Sequence, residues 1–192
     1  MAITHRWEAE AVDYWQSLDT DQLLFGLVQG GMFDDLRQAS VAALTQHPFS
    51  GFAIGGVSVG EPMADMHRII ETVTPQLPPD KPRYIMGIGL PENLEVAIRA
   101  GADMFDCVLP TRLARHGQVF MDGHRRVSLK QAKFKLDPEP IQPGCDCYTC
   151  LRFSRAYLRH LIQARELSAA TLLSIHNVRY LIRLVDALRE QI

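Results

Sequence analysis

Four short apolar runs, each followed by a helical pattern, constrain the fold of this chain more than any other feature. They occupy residues 23–29, 49–56, 83–89 and 104–110. Apolar residues are nearly continuous within each run, which favours parallel strands buried on both faces by connecting helices. The sequence therefore predicts an α/β fold built from four βα units.

Helical patterns fill the connections between the runs. Apolar residues recur at helical spacing over residues 34–47 and 63–77. A third helix is predicted to begin at Pro91 and to end near Gly101, because proline suits the first turn of a helix and glycine the position just after its end. Strands that alternate with helices in this way predict βαβ units.

Polar or glycine-rich residues follow each predicted strand. They are Gln29 with Gly30 and Gly31, Gly55 with Gly56, residues 87–89, and residues 106–112. TIM-barrel enzymes of the (β/α)8 class carry their functional residues at these carboxyl ends of parallel strands. Four units would make half of such a barrel and would leave two strand edges unpaired. The pattern alone is compatible with a small open sheet or with one part of a barrel.

The second part of the chain follows a different pattern. Residues 118–129 predict a β-hairpin with an Asp-Gly turn. A linker containing prolines covers residues 137–144, and two further helices are predicted over residues 153–165 and 169–190. This part is therefore expected to form a separate module rather than further βα units.

Charge is unevenly distributed along the chain. Residues 106–192 carry 14 Lys and Arg against 8 Asp and Glu, whereas residues 1–105 carry 6 against 14. The basic second part predicts an anionic partner, and the alternative is that its helices simply have solvated basic faces. No apolar run approaches the roughly 20 residues of a membrane span, and the N-terminus does not resemble a signal peptide. We expect a cytoplasmic protein with no membrane partner.

Three of the four cysteines lie within six residues, at Cys145, Cys147 and Cys150. Disulfides are rare in the cytosol, so this cluster favours a metal site over cross-linking or unligated buried thiols. A structural zinc ion usually takes four protein ligands. The candidates for the fourth are His160, His176, His116, His124 and Cys107, and the spacing does not decide among them.

Asp106 lies near the end of the fourth apolar run, between Phe105 and Cys107. Burying an unpaired carboxylate is costly, so Asp106 is expected to be catalytic or to form a structural ion pair with Arg112 or Arg115. Cys107 is expected to be a small core residue that points to the other side of the strand.

A family resemblance is carried by the segments FGLVQGGM, FAIGGVSVGEP, YIMGIGLPENL, GADMFDCVLPTR and CDCYTC, followed by SRAYLRHL and IHN. In this order they resemble the tRNA-guanine transglycosylases of the queuosine pathway, from about Arg6 onward. The resemblance implies the second half of a (β/α)8 TIM barrel over residues 1–115. It implies a hairpin, a zinc-binding module and C-terminal helices over residues 116–192. The first four βα units of the family, its second catalytic aspartate and the aromatic residue that stacks on the base would lie outside this chain.

The functional positions of the family map onto this chain residue by residue. Asp106 corresponds to the catalytic nucleophile. The ligands of one structural Zn2+ correspond to Cys145, Cys147, Cys150 and His176, so the resemblance selects His176 as the fourth ligand. The positions beside the purine-like base correspond to Gln29, Gly56, Val59 and Met86. The RNA-contacting loops correspond to Gly87, Ile88, Gly89, Leu90, Pro91, Glu92 and Asn93, and to Thr111, Arg112, Leu113, Ala114 and Arg115.

The activity that the resemblance implies is exchange of guanine at the tRNA wobble position for the 7-deazaguanine preQ1. It would proceed by double displacement through a covalent ribosyl–aspartate intermediate. The expected partners are tRNA with a wobble guanine, preQ1 and, in the full-length family, a second copy in a homodimer. The alternative is a non-catalytic, zinc-containing tRNA-binding subunit or scaffold, and the chain alone is expected to be inactive.

Overall fold

The computed structural model describes all 192 residues and divides them into two compact units. The first unit comprises Met1–Ile88 and Asn93–Cys107, and the second comprises Gly89–Glu92 and Val108–Ile192. Residues 108–115 thus fall in the second unit, whereas the resemblance groups them with the barrel strands. None of the helices has the length and apolar composition that a membrane span requires.

Strands and helices alternate along the first part of the chain. The strands are β1 (Phe25–Val28), β2 (Gly51–Ile54), β3 (Arg83–Ile85) and β4 (Met104–Phe105). The helices are α1 (Ala2–Gln16), α2 (Asp34–Leu44), α3 (Met63–Val73) and α4 (Pro91–Arg99). Helix α3 ends earlier than predicted and passes into a 3-10 turn, Thr74–Gln76, because Pro75 has no amide hydrogen with which to continue the helix. Gly101 follows α4 with a φ of 98°, in agreement with the predicted helix end.

The four strands form one parallel sheet in the order β1-β2-β3-β4. This confirms the α/β class and the parallel connections predicted from the alternating pattern. The register pairs Ile54 of β2 with Ile85 of β3, and Ile85 with Phe105 of β4. As a result, the residues that follow these strands lie along the same edge of the sheet.

The expectation that every strand is buried on both faces is correct only for β2. All four residues of this central strand are buried, whereas β1 alternates between buried and half-buried residues. Strands β1 and β4 lie at the two edges of the sheet, and Met104 in β4 is 45% exposed. In β3, Arg83 and Tyr84 are half-buried, and their polar ends reach hydrogen-bond partners.

The second unit consists of a hairpin and four helices. Its strands are β5 (Gln118–Met121) and β6 (Arg125–Ser128), and its helices are α5 (Leu109–Arg115), α6 (Tyr148–Arg152), α7 (Arg155–Gln163) and α8 (Leu167–Arg189). A 3-10 turn, Ala132–Phe134, follows the hairpin. The strands pair antiparallel, with Val119 opposite Val127, which confirms the predicted hairpin. The three clustered cysteines belong to the hydrophobic core of this unit, together with residues such as Leu129 and Leu158.

Two helices of this unit differ from the sequence prediction. The pattern at residues 104–110 predicts a strand, but only the first two of these residues form one. The chain then turns into α5. Pro110 lies in the first turn of this helix, where its missing amide hydrogen costs no intrahelical hydrogen bond. Residues 111–115 are therefore helical, whereas the resemblance implies a loop. Helix α6 was not predicted, and it begins within the cysteine segment, where Cys147 Sγ accepts a hydrogen bond from the Cys150 amide at 3.3 Å.

Candidate active site and metal centre

The Asp106 carboxylate is exposed and lies just after β4, where residues of β3 and of the segment that follows it can reach it. Its Oδ1 accepts a hydrogen bond from the Tyr84 hydroxyl at 2.6 Å and another from the Gly87 amide at 2.9 Å. Both bonds end on the same oxygen, so Oδ2 remains available to an electrophile. The partners are thus a hydroxyl and a backbone amide. The alternative prediction, a structural ion pair, named Arg112 or Arg115 as the partner.

Hydrogen bonding keeps the Asp106 carboxylate ionised. The bond from Tyr84, followed by the bond from Gly87, lowers the pKa of Asp106 below its ordinary value. The same contact raises the pKa of the Tyr84 hydroxyl, so the proton stays on the tyrosine. The carboxylate therefore carries its charge at neutral pH, as a nucleophile must. The neighbouring Cys107 is half-buried, and its predicted place in the core is wrong, because this segment follows an exposed edge strand.

Gln29 and Gly56 come together at the carboxyl ends of β1 and β2. A Cβ atom on Gly56 would lie 2.9 Å from Oε1 of Gln29, and one on Gly55 would lie 3.0 Å from Nε2. Gly56 also has a φ of 65°, in the left-handed region that favours glycine. The Gln29 carboxamide thus packs directly on glycine backbone, and the Gln29 backbone amide donates to Ser40 Oγ at 3.1 Å.

Met86 and Val59, the other two predicted base-site residues, are more exposed. Met86 is 38% exposed after β3, and Val59 is 78% exposed in the loop after β2. The Glu61 carboxylate accepts hydrogen bonds from the amides of Ser58 and Val59 and shapes that loop. Burial raises the pKa of Glu61, but hydrogen bonds from the backbone amides of Glu61, Ser58, Val59 and Gly60 outweigh it and lower the pKa overall.

The predicted RNA-contacting residues divide into accessible and buried sets. Gly87, Arg112 and Arg115 are exposed, and Leu90, Glu92 and Thr111 are half-buried. The buried positions are Ile88, Gly89, Pro91, Asn93, Leu113 and Ala114. The side-chain oxygen of Asn93 lies 2.8 Å from His67 Nε2 and pairs with it inside the first unit. The accessible set is the one that can touch an RNA backbone.

The cysteine segment and helix α8 build a compact cluster of metal-ligating atoms. Cys145, Cys147, Cys150 and His176 are all buried, and their ligand atoms lie within 4.8 Å of one another. His176 Nδ1 is 3.8, 3.7 and 3.3 Å from the three Sγ atoms in that order. Tetrahedral zinc, with bonds of about 2.3 Å to sulfur and about 2.0 Å to nitrogen, would separate such atoms by about 3.6 Å. The donor set and its spacing therefore fit a closed zinc site.

The histidine in this cluster is oriented by a hydrogen bond on its far side. His176 Nε2 lies 2.8 Å from the carbonyl oxygen of Phe120 in β5. A carbonyl can only accept, so Nε2 carries the proton and Nδ1 turns its lone pair towards the sulfurs. Such an outer partner is typical of metal-ligating histidines. The adjacent Asn177 is also completely buried and accepts a hydrogen bond from the Phe120 amide at 3.0 Å, which fixes the same strand.

The thiols themselves favour a bound cation. Hydrogen bonding from Cys150 lowers the pKa of the Cys147 thiol to about 4. The same contact, together with burial, raises the pKa of Cys150, and burial raises that of Cys145. The cluster can thus hold one thiolate easily but resists holding three, and a divalent cation would supply the charge that allows all three to ionise.

The other candidates for the fourth ligand have different surroundings. His160 is exposed on α7, and His116 Nδ1 lies 2.8 Å from the Arg112 carbonyl oxygen. His124 Nδ1 lies 3.1 Å from the Tyr180 hydroxyl. The structure brings only His176 to the three cysteines.

Sequence reasoning missed Arg37, whose side chain is completely buried at the end of β1 and β2. A signal was present, because Arg37 shares one helical face with Ser40, Val41 and Leu44, all of which are buried. A charged residue within an apolar stripe must find several hydrogen-bond partners, and this pattern could have marked it.

Comparison with known proteins gives one consistent result. The family model for queuine tRNA-ribosyltransferase (TGT) matches residues 1–192. A Queuine tRNA-ribosyltransferase from Vibrio parahaemolyticus is 49% identical over 192 residues, which is 100% of this chain and 51% of the relative. Proteins of the same name from Vibrio campbellii and Vibrio cholerae are 48% identical over 100% of this chain and 50% of their own length. The chain spans about half the length of the curated relatives it matches.

Proposed function

Because the chain belongs to the queuine tRNA-ribosyltransferase family, we propose that it supplies the nucleophile and the metal module of a tRNA-guanine transglycosylase. The reaction exchanges guanine at the wobble position of tRNA for preQ1 in queuosine biosynthesis. One observation supports this assignment above the others. The Asp106 carboxylate is exposed and ionised, and it is held through one oxygen while the other is free.

The carboxylate performs a double displacement. Asp106 Oδ2 attacks ribose C1′, the bond from C1′ to guanine N9 breaks, and guanine leaves with the electron pair and takes a proton from a general acid. The positive charge that grows on the sugar is stabilised by the carboxylate, as in retaining glycosidases. The incoming deazaguanine loses its proton to the conjugate base of that acid, attacks C1′ from the opposite side and releases the carboxylate. The family's second catalytic aspartate, outside this chain, would move the proton.

Gln29 and Gly56 are the proposed contacts to the purine-like base. A carboxamide presents one acceptor and two donors, which can match the polar edge of a guanine-like ring. Its packing on Gly55 and Gly56 limits its rotation, so the amide would meet the base in one orientation. Met86 would pack beside the ring, and Val59 would limit the size of the 7-substituent.

Arg112 and Arg115 are the proposed contacts to RNA phosphates. Both side chains are exposed on helix α5. Phosphate contacts of this kind position a nucleic acid but do not read its sequence. The other proposed RNA contacts are the remaining accessible residues, Gly87, Leu90, Glu92 and Thr111.

One structural Zn2+ per chain is proposed for the cluster of three cysteines and His176. Four protein ligands leave no open position, so the ion would stabilise the module and would not act on substrate. Reduced thiols suit the cytoplasm, where we place the reaction. We further propose that residues 1–115 form the second half of a (β/α)8 barrel, that residues 116–192 form the hairpin and zinc module, and that the full-length form is a homodimer.

A second candidate is a zinc-containing tRNA-binding subunit without catalysis. It is favoured by the basic second part of the chain, where residues 106–192 carry 14 Lys and Arg against 8 Asp and Glu. An exchange assay separates the two functions, with radiolabelled guanine and a tRNA that has a wobble guanine.

The assay compares the chain alone with the chain joined to the N-terminal half of the Vibrio cholerae relative. We expect no exchange from the chain alone, because general acid–base help of about 10²–10⁴-fold is missing. The joined protein should turn over, and its Asp106→Asn variant should not. If the joined protein binds tRNA but exchanges no guanine, the subunit function is supported and the catalytic one is refuted.

A further inference from the structure

The Arg37 guanidinium joins the carboxyl ends of β1 and β2 from inside the first unit. The side chain is 0% exposed and projects from the sheet-facing side of α2. Nη1 donates to the carbonyl oxygens of Val28 and Gly55, at 3.0 and 2.7 Å. Nε donates to the Gly31 carbonyl at 2.9 Å, and Nη2 donates to the Gly56 carbonyl at 3.2 Å.

These four carbonyl groups surround Gln29. Val28 precedes it and Gly31 follows two residues later, so Arg37 holds the backbone on both sides of Gln29. Gly55 and Gly56 form the surface on which the Gln29 carboxamide packs. A single planar cation therefore fixes the glutamine backbone and the glycine platform relative to each other.

Only an arginine can make this set of contacts. The guanidinium carries five donors in a rigid plane, whereas a lysine ammonium is a compact charge with three donors that cannot reach four separated carbonyls. Burial lowers the pKa of Arg37, an effect that the charge of Glu61 partly offsets. An arginine has so high an ordinary pKa that the group remains a cation and a full set of donors.

We propose that Arg37 is a positioning residue of the base-binding site, which presets the Gln29 carboxamide and the Gly56 backbone for a guanine-like base. The inference rests on the proposed role of Gln29 and Gly56. Arg37 touches neither the base nor the reacting atoms. Its contribution is to remove the conformational freedom that Gln29 would otherwise lose on binding.

Arg83 offers a matched control within the same unit. Its guanidinium also bonds to three carbonyl oxygens, those of Leu77 at 2.7 Å, Gly101 at 3.2 Å and Pro78 at 3.3 Å. Arg83 is the first residue of β3, at the opposite end of the strand from the residues that follow it at the candidate site. Removing these hydrogen bonds should lower stability without changing the base site.

The test compares Arg37→Lys with Arg83→Lys in the full chain by 1H–15N NMR. The side-chain amide signals of Gln29, assigned through their absence in a Gln29→Glu variant, report its order in the free chain. A preQ1 titration of the same variants in the joined protein reports affinity. Arg37→Lys should shift or broaden these signals in the free protein and weaken preQ1 binding at least about tenfold. Arg83→Lys should lower the melting temperature while both readouts stay unchanged.

Two further NMR measurements bear on the role of Arg37. If Arg37→Lys does not fold, the Nε–H signal of Arg37 in the unmodified protein serves instead: it should exchange slowly with water and shift when preQ1 binds. Unchanged Gln29 signals in a folded Arg37→Lys variant, or an Arg37 Nε–H signal that exchanges fast, would overturn the inference. If preQ1 does not bind the joined protein, the proposed base site fails, while the Gln29 signals of the free chain still decide the role of Arg37.

Discussion

Replacing His176 with alanine should empty the metal site and destabilise the second unit. The change removes the only nitrogen ligand of the cluster and also the hydrogen bond to the Phe120 carbonyl. Loss of an outer partner alone costs about 10–100-fold in metal affinity, so loss of the ligand should cost at least about 100-fold. By mass action, a 100-fold change in affinity corresponds to about 2.7 kcal/mol of folding stability.

The unpaired Phe120 carbonyl adds a second cost. A buried acceptor that loses its partner destabilises a protein by about 1–3 kcal/mol. The two effects together give about 4–6 kcal/mol, which is a large part of the stability of about 5–15 kcal/mol that is typical of a domain. The second unit should therefore unfold at a much lower temperature than in the unmodified chain.

The assay combines elemental analysis with thermal unfolding followed by circular dichroism. The His160→Ala variant is the matched control, because His160 is an exposed histidine on α7 and should keep one zinc per chain. A His176→Cys variant separates the two costs, since four thiolates can still bind zinc while the bond to Phe120 is removed. A full complement of zinc in His176→Ala, with an empty site in His160→Ala, would refute the ligand assignment.

Three further predictions concern the joined, complete enzyme. Tyr84→Phe removes the hydrogen bond that contributes most to the lowered pKa of Asp106. This pKa should rise, so that on acidification activity should be lost at a higher pH than in the unmodified enzyme. An acid limb of the pH–rate profile that does not move would contradict this. Arg112→Ala or Arg115→Ala should weaken tRNA binding. Either change should also reduce the slope of log affinity against log salt concentration by about 0.7–0.9 for each phosphate that the arginine neutralises. An unchanged slope in binding titrations would exclude a phosphate contact by that arginine. Val59→Gly should increase the incorporation of queuine relative to preQ1 by roughly five- to 150-fold in a competition assay, because overpacking of about 1–3 kcal/mol is relieved. Equal use of queuine and preQ1 by the unmodified enzyme would show that Val59 does not select the base by size.

The periodic features of the sequence predicted the framework well. Continuous apolar runs identified the four parallel strands, and the Asp-Gly turn identified the hairpin. Gly101 marked the end of α4 because its positive φ follows from local chemistry. These features depend on residues close in the chain, which is why a single sequence can reveal them.

The sequence could not reveal features that depend on packing between distant segments. The fourth run is apolar throughout most of its length, yet only Met104 and Phe105 form a strand, because the chain then turns into α5. The spacing of the cysteines also left the fourth ligand open, since His176 reaches them from a distant part of the chain by packing of α8 within the second unit. The helical pattern could mark Arg37 as a buried charge but could not show its partners, which come from the ends of two different strands.

The central claim is that Asp106 forms a covalent bond to the ribose of the wobble nucleotide. The direct measurement incubates the joined enzyme with tRNA in the absence of incoming base and separates the mixture on a denaturing gel. The unmodified enzyme should give a tRNA adduct that survives denaturation. The Asp106→Asn variant, whose amide is nearly isosteric but far less nucleophilic, should bind tRNA with similar affinity and give no adduct. An adduct of equal yield with the Asn variant would show that Asp106 is not the nucleophile.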